Sequence, residues 1–312
     1  MNPVKSTLIQ ELESSLTAET PAISPKFFYD AVGSRLFEVI TLLNEYYPTR
    51  TEKWIMDVHQ SEIANVIGDC DVLIDLGAGN CAKASRLFKA IYPKQYRALD
   101  ISKEYLEFAV SDLQKQFPQI QMSAHAVDLS LPMRFPDIQE SQKIFFYPGS
   151  SIGNFDPEKA DEFFVNLANE CHGTGGLLIG VDLVKGLQTL ELAYNDPLGV
   201  TAAFNLNTLL NVNRLIGSNF NVTDWEHYAF FNTRKSRIEM HLRALRDTKV
   251  SLPLQESKAH IITFKAGDLI HTENSYKYTQ EHFVKKLKRA GFSEVYCWTD
   301  PKDYFLVCFA KV

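Results

Sequence analysis

The stretch Val72-Leu-Ile-Asp-Leu-Gly-Ala-Gly-Asn80 constrains the fold more than any other part of the chain. An apolar run leads into Asp75 and then into Gly77 and Gly79, and a helix is expected over 82–91. Two residues without a Cβ let the backbone turn sharply and approach a ligand closely. Placed after a buried parallel strand, such a loop belongs to a doubly wound α/β sheet that binds a nucleotide-like cofactor. The pattern is D-x-G-x-G and not the dinucleotide G-x-G-x-x-G, because Ala82 stands where the third glycine would fall. The loop also lacks the Lys-Ser/Thr pair that cradles phosphates. An acidic entry suits a cofactor with a cationic end and no phosphate, which describes S-adenosylmethionine. NAD and a purely structural glycine turn are the alternatives that this loop alone leaves open.

The order of elements extends the argument. Tyr96-Arg-Ala-Leu-Asp100 is a second apolar segment ending in an acid. Asp100 falls about 20 residues after the loop, where an acidic residue reaches the ribose hydroxyls. A helix over 103–116 and a strand over 121–127 follow, then Asp128-Leu129. Further strands are expected over 143–147 and 177–183, with a helix over 157–171 between them. That helix opens with Asp156-Pro157, an N-cap followed by proline in the first turn. Alternation of this kind predicts a parallel sheet with helices on both faces. Its carboxyl edge carries Gly77, Asp100, Asp128 and Gly149, which should face one crevice.

An amphipathic helix over 281–290 and two strands joined by Asp300-Pro301 close the chain. A terminal antiparallel hairpin after five βα units marks a class I methyltransferase sheet, and an NAD-binding half does not usually end so. Residues 186–277 are more than the sheet needs. They read as helices over 187–194 and 200–216, then strands over 228–233, 237–245, 260–264 and 268–276. The expected organisation is a cofactor-binding methyltransferase domain (51–185 and 278–312) with an inserted α+β substrate domain (1–50 and 186–277). Long insertions beside a cofactor crevice usually shape the substrate pocket.

Composition excludes several classes. A formal net charge of −6 argues against nucleic acid as the main partner. No apolar run reaches the roughly 18 residues that span a membrane, and Met1-Asn-Pro-Val-Lys-Ser6 lacks the apolar core of a signal peptide. The 5 cysteines are scattered and form no CxxC. This fits a reducing cytoplasm and no metal site. Cys81, beside the glycine loop, reads as a packing residue.

Several longer motifs narrow the reading further. Phe28-Tyr-Asp-Ala-Val-Gly-Ser-Arg-Leu-Phe-Glu-Val-Ile-Thr41 and Glu45-Tyr-Tyr-Pro-Thr-Arg-Thr-Glu52 come first. Pro148-Gly-Ser-Ser-Ile-Gly-Asn-Phe155, Ala193-Tyr-Asn-Asp196, Gly199-Val-Thr-Ala-Ala-Phe-Asn205, Arg237-Ile-Glu-Met-His-Leu242 and Glu273-Asn-Ser-Tyr-Lys-Tyr278 follow. In this order, from about Pro25 to Val312, they resemble the histidine-specific methyltransferases, which make Nα-trimethylhistidine (hercynine) on the way to ergothioneine. Asn44 stands where that family commonly has proline, a residue that would stiffen the loop.

The resemblance implies S-adenosylmethionine as cofactor, L-histidine and its methylated forms as small-molecule partners, and a cytoplasmic monomer. It also implies cofactor contacts from Gly77, Gly79, Lys83, Asp100, Asp128 and Leu129. Substrate contacts are implied for Tyr29, Tyr46, Gly149, Asn154, Tyr194, Met240, Glu273, Asn274 and Ser275, with Asn154, Tyr29 and Tyr194 serving the chemistry. Without the family, Lys83 reads as a solvated first-turn lysine and Tyr29 and Tyr46 as packing residues. Asn154 reads as a turn asparagine and Glu273 as a solvent-face charge.

Overall fold

Short apolar segments become strands, and the longer amphipathic segments between them become helices, across residues 3–252 and 260–312, the part of the chain that the computed structural model describes. In chain order the strands are β1 (Val72–Leu76), β2 (Gln95–Asp100), β3 (Gln121–Ala126), β4 (Lys143–Tyr147) and β5 (Gly175–Asp182). Then come β6 (Trp225–Asn232), β7 (Arg237–Ala244), β8 (Thr248–Leu252), β9 (His260–Phe264), β10 (Leu269–Tyr276), β11 (Glu294–Thr299) and β12 (Phe305–Lys311). The chain divides into two compact units, Pro48–Lys185 with Tyr276–Val312, and Met1–Tyr47 with Gly186–Ser275.

The first unit holds a seven-stranded sheet in the order β11-β12-β5-β4-β1-β2-β3. Strands β1 to β5 pair in parallel, and β12 runs antiparallel to both β5 and β11. This is the expected class I methyltransferase sheet with its closing hairpin. Strand order reverses beside β1, the switch point at which such sheets bind ligands. Every residue of β1, β4 and β5 is buried, as the near-continuous apolar runs of parallel strands require. Neighbouring residues go to opposite faces. Ile74, Phe145 and Leu177 pack with Phe164 and Phe283 on one side. Leu73, Phe146 and Leu178 pack with Phe88 and Leu106 on the other.

Two local expectations need correction. The helix read over 82–91 is two short ones, Ala82–Ser85 and Phe88–Ile91. Leu87 N–H bonds to the Ala84 carbonyl at 2.9 Å, three residues back, so the turn tightens there. Asp156 occupies the N-cap position of helix Pro157–Glu170 without a side-chain capping bond. Its carboxylate instead accepts from the Tyr276 hydroxyl at 3.1 Å.

The second unit pairs a three-stranded sheet, β10-β7-β6, with the two-stranded β8-β9. Strand β8 was not expected from the sequence. Helix Val200–Ile216 carries the core residues Leu209, Val212 and Ile216, which pack with Leu12, Trp225, Leu242 and Ile270. Two buried asparagines on the same helix find acceptors, since Asn207 Nδ2 donates to Asp30 at 2.8 Å and Asn211 Nδ2 to the Phe27 carbonyl at 2.7 Å.

The first unit's chain leaves after β5 and returns at β10, and one carboxylate ties the two points. Asp182 is fully buried and meets Lys185 Nζ at 2.5 Å and Lys277 Nζ at 2.8 Å. Burial pushes against ionisation of Asp182, but Lys277 and Lys185 overcome it and hold the carboxyl below its ordinary range. Burial lowers Lys185 to about 8. Replacing one member of a buried charge set strands the others, at about 3–5 kcal/mol. Asp182→Ala is therefore expected to destabilise this unit by about that much in urea denaturation; a change below about 1 kcal/mol would mean that the lysines find other partners.

Candidate active site

At the carboxyl edge of the sheet the glycine loop takes the backbone shape its composition allows. Gly77 and Gly79 have φ of +73° and +52°, the left-handed region open to glycine. The N–H groups of Gly77 and Ala78 both bond to the Leu99 carbonyl, at 2.8 and 3.0 Å. A Cβ on Gly79 would have no atom within 4 Å, and one on Gly77 would meet only Leu129, at 3.9 Å. Open space therefore lies over this loop, as a ligand-binding turn needs.

Asp100, at the end of β2, is fixed from both sides. Its Oδ2 accepts from Gly79 N–H at 2.9 Å and its Oδ1 from Ser102 N–H at 3.0 Å. Asp128, after β3, accepts from the Ser130 N–H at 3.0 Å and the Ser130 hydroxyl at 2.6 Å. Leu129 is half-buried against the core beside Gly77. Gly77, Gly79, Asp100 and Leu129 thus lie together. This group fits S-adenosylmethionine: a carboxylate fixed in place, apolar surface beside it, and backbone without a Cβ in the way.

Lys83 and Gly149 form a neighbouring pair. A Cβ on Gly149 would lie 2.9 Å from Lys83 Nζ. Gly149 and Ser150 have φ of +78° and +61°, turning the chain after β4. Asn154 ends the short turn Ser151–Asn154 that follows and is half-buried. Gly149 and Asn154, implied for the substrate, are therefore part of the sheet unit. Glu52, the last residue of the motif Glu45–Glu52, is a further member of this group that its local sequence does not mark. Its carboxylate is buried and bonds to both Lys83 and Gly149.

In the other unit, aromatic rings run from Tyr29 to Tyr194. Ring centroids are 5.8 Å apart for Tyr29 and Phe37, and 6.3 Å for both Phe37–Tyr46 and Tyr46–Tyr194. Phe37, which links Tyr29 to Tyr46, was not singled out from the sequence. Tyr194 donates its hydroxyl to Ser275 Oγ at 2.8 Å, 81 residues away in the chain. Ser275 lies on β10 with Asn274 and Glu273, all buried, and Met240 lies buried on the adjacent β7. Asn274 Oδ1 meets His271 Nε2 at 2.8 Å. Glu273 is 8% exposed, so it is not a solvent-face charge. Below Tyr194, His227 donates from Nε2 to the Tyr194 carbonyl at 2.8 Å, and its Nδ1 lies 2.9 Å from Asn205 Nδ2. Burial lowers the His227 pKa, so the ring is neutral and its tautomer is set by these two bonds.

Under the glycine loop, Asp75 is fully buried and accepts the Tyr96 hydroxyl at 2.7 Å. Its Oδ1 has no partner among the described residues. Burial, with Asp100 adding to it, pushes Asp75 from 3.8 up to about 7. Burial likewise pushes the Cys81 thiol up to about 12, which leaves it a packing residue with no thiolate character.

A family model described as histidine-specific methyltransferase, SAM-dependent, matches residues 8–312. The chain is 36% identical over 303 residues to a histidine N-alpha-methyltransferase of Mycolicibacterium smegmatis, covering 96% of this chain and 92% of that protein. It is 33% identical to the protein of the same description in Mycobacterium tuberculosis, over 97% of this chain and 95% of that one. It is also 32% identical to ergothioneine biosynthesis protein 1 of Neurospora crassa, over 91% of this chain and 32% of that longer protein.

Asp75 gives the site a pH signature. Its pKa is raised in the folded state, so the stability it contributes is complete below about pH 4 and is lost as pH rises through the window from 3.8 to about 7. Asp75→Asn cannot titrate. The stability difference between parent and variant should fall by about 1.4 kcal/mol per pH unit across that window and level off above it. Urea denaturation of both proteins along a pH series measures this, and a constant difference would show that Asp75 is already ionised.

Proposed function

The chain belongs to the family of histidine-specific, S-adenosylmethionine-dependent methyltransferases, and we propose that it methylates the α-amine of L-histidine three times in succession to give hercynine, the first step of ergothioneine biosynthesis. The observation that carries this reading is the family match over nearly the whole chain, 8–312. The buried Glu273-Asn274-Ser275 strand with its Tyr194 partner supports histidine as the acceptor. A cytoplasmic monomer is proposed with it. The free thiols support the compartment, and no helix of the described residues is long and apolar enough to cross a membrane.

S-adenosylmethionine supplies the activated methyl group when bound. Asp100 would accept from its ribose hydroxyls and Asp128 from its adenine amino group. Lys83 would face its carboxylate, with Gly77, Gly79 and Leu129 shaping the surface. The nucleophile must be a neutral amine, and an α-amine titrates near 8, so histidine arrives mostly as ammonium at neutral pH and must lose a proton. The secondary and tertiary ammonium products each lose one proton before the next transfer, and the quaternary product has none to lose. Positioning supplies most of the rate in such a reaction. Asn154, Tyr29 and Tyr194 orient the amine and carboxylate in this proposal, with Gly149 and Tyr46 completing the contacts. Tyrosine faces also favour the growing methylammonium through cation–π attraction of about 0.5–2 kcal/mol.

Glu273 and Ser275 are assigned to the two imidazole nitrogens, helped by Asn274, while Met240 packs against the ring. Such groups reject a side chain that leaves them unmatched. A family relative acting on a tryptophan derivative would not need a buried carboxylate at this place, and neither would a cofactor-binding module without catalysis.

Incubating the protein with S-adenosylmethionine and a mixture of all amino acids, then reading masses, should show histidine alone consumed and its trimethyl form accumulating. Consumption of a different amino acid, or of none, would overturn the proposal. In the same assay Glu273→Ala should weaken histidine binding by about 1.5–3 kcal/mol, the range for a hydrogen bond to a charged group. Cofactor affinity should hold, and discrimination against phenylalanine should relax. Selectivity as steep as the parent's would remove Glu273 from the acceptor site.

A further inference from the structure

A buried carboxylate outside the assigned contacts joins two of them. Glu52 lies on helix Tyr47–Val58 with only 4% of its surface exposed. Its Oε2 meets Lys83 Nζ at 2.6 Å, and its Oε1 accepts from Gly149 N–H at 2.6 Å. The peptide between Pro148 and Gly149 is held from its other end as well, because the Pro148 carbonyl accepts from the Ser151 hydroxyl at 3.2 Å. The sheet makes room for this carboxylate. A Cβ on Gly180, in the middle of β5, would lie 2.0 Å from Glu52 Oε1. The Phe305 ring would lie 2.8 Å from the same Cβ, so the carboxylate of Glu52, the nearer of the two, and this ring together fill the space that a side chain would take. A strand interior ordinarily disfavours glycine, so the vacancy points to what occupies it.

We infer that Glu52 is a positioning residue for methyl transfer: its single carboxylate sets the Lys83 ammonium and the Gly149 peptide at fixed places on the carboxyl edge of the sheet. This rests on the proposed roles of Lys83 toward the cofactor and Gly149 toward histidine. The Lys83 side chain is 42% exposed and long, so without an anchor its ammonium samples many positions. Gly149 stands in a left-handed turn that its sequence alone does not hold in one orientation. One buried anion removes both freedoms, and small misplacements of groups that position reactants are costly in rate.

Two substitutions separate the parts. Glu52→Gln keeps an oxygen for Gly149 N–H but gives up the charge that holds Lys83. Gly180→Ala leaves Glu52 in the sequence and displaces its carboxylate from both partners. Glu52→Gln is expected to raise the S-adenosylmethionine dissociation constant about tenfold by calorimetry while KM for histidine stays within about twofold; Gly180→Ala should raise both. In a Lys83→Met background, Glu52→Gln should add less than about twofold, because its effect runs through the lysine. Full additivity, or unchanged cofactor affinity in folded Glu52→Gln, would overturn the inference while leaving Lys83 as a cofactor contact. Unchanged affinity in Lys83→Met alone would instead overturn the proposed role of Lys83, and the inference with it. Loss of folding in both Glu52→Gln and Gly180→Ala would assign Glu52 to stability and overturn it as well.

Discussion

Burial of the central strands on both faces governs where chemistry can occur in the sheet unit. β1, β4 and β5 have no exposed residue, and a polar group placed along them must find a partner or stay uncharged. Asp75 obeys the rule by holding its proton up to about 7. Lys143, fully buried at the start of β4, obeys it by donating to the carbonyls of Ile138, Gln139 and Ser141 at 2.9, 3.1 and 3.3 Å. Charged groups that are to meet a ligand can then stand only at the strand ends, where Asp100 and Asp128 are found, with Lys83 just past the end of β1.

The second unit solves a different problem. Several of its buried polar groups bond to one another: Tyr194 with Ser275, His227 with Tyr194 and Asn205, Asn274 with His271. A network of this kind stays in one arrangement because every alternative leaves a donor or acceptor unmatched. Glu273 is buried within the same strand, where a charged group left unmatched is costly.

Much of this was legible in the sequence because it is local. Apolar runs over 143–147 and 177–183 announced buried parallel strands, and the D-x-G-x-G turn announced its own backbone. Helices 103–116 and 200–216 were readable from periodicity and came out with the expected ends. What escaped depends on partners far along the chain. Nothing near Glu52 indicates that Gly149, 97 residues on, will donate to it, or that Gly180 is small to admit it. The capping role expected of Asp156 gave way to Tyr276, 120 residues away. Strand β8, Thr-Lys-Val-Ser-Leu, is short and polar enough that only its pairing with β9 identifies it. The site's residue types were visible mainly through the family motifs, since tyrosines, an asparagine and a glutamate are ordinary wherever they occur singly.

The two ends of the 186–275 segment leave from one spot. Leu183 bridges Tyr278, Val184 N–H bonds to the Tyr278 carbonyl, and Tyr278 N–H bonds to that of Asp182, beside the carboxylate shared by Lys185 and Lys277. In polymer terms the segment forms a ring closed on the host where its two ends meet. Closing such a ring costs entropy that grows only with the logarithm of its length, roughly 0.6 kcal/mol for each doubling. The pairing of β5 with β12 is thus nearly indifferent to how much chain is spliced between them. A sheet built this way keeps the pairing of its last strands whatever the length of chain between β5 and β12, and with it the fold that holds the methyl donor.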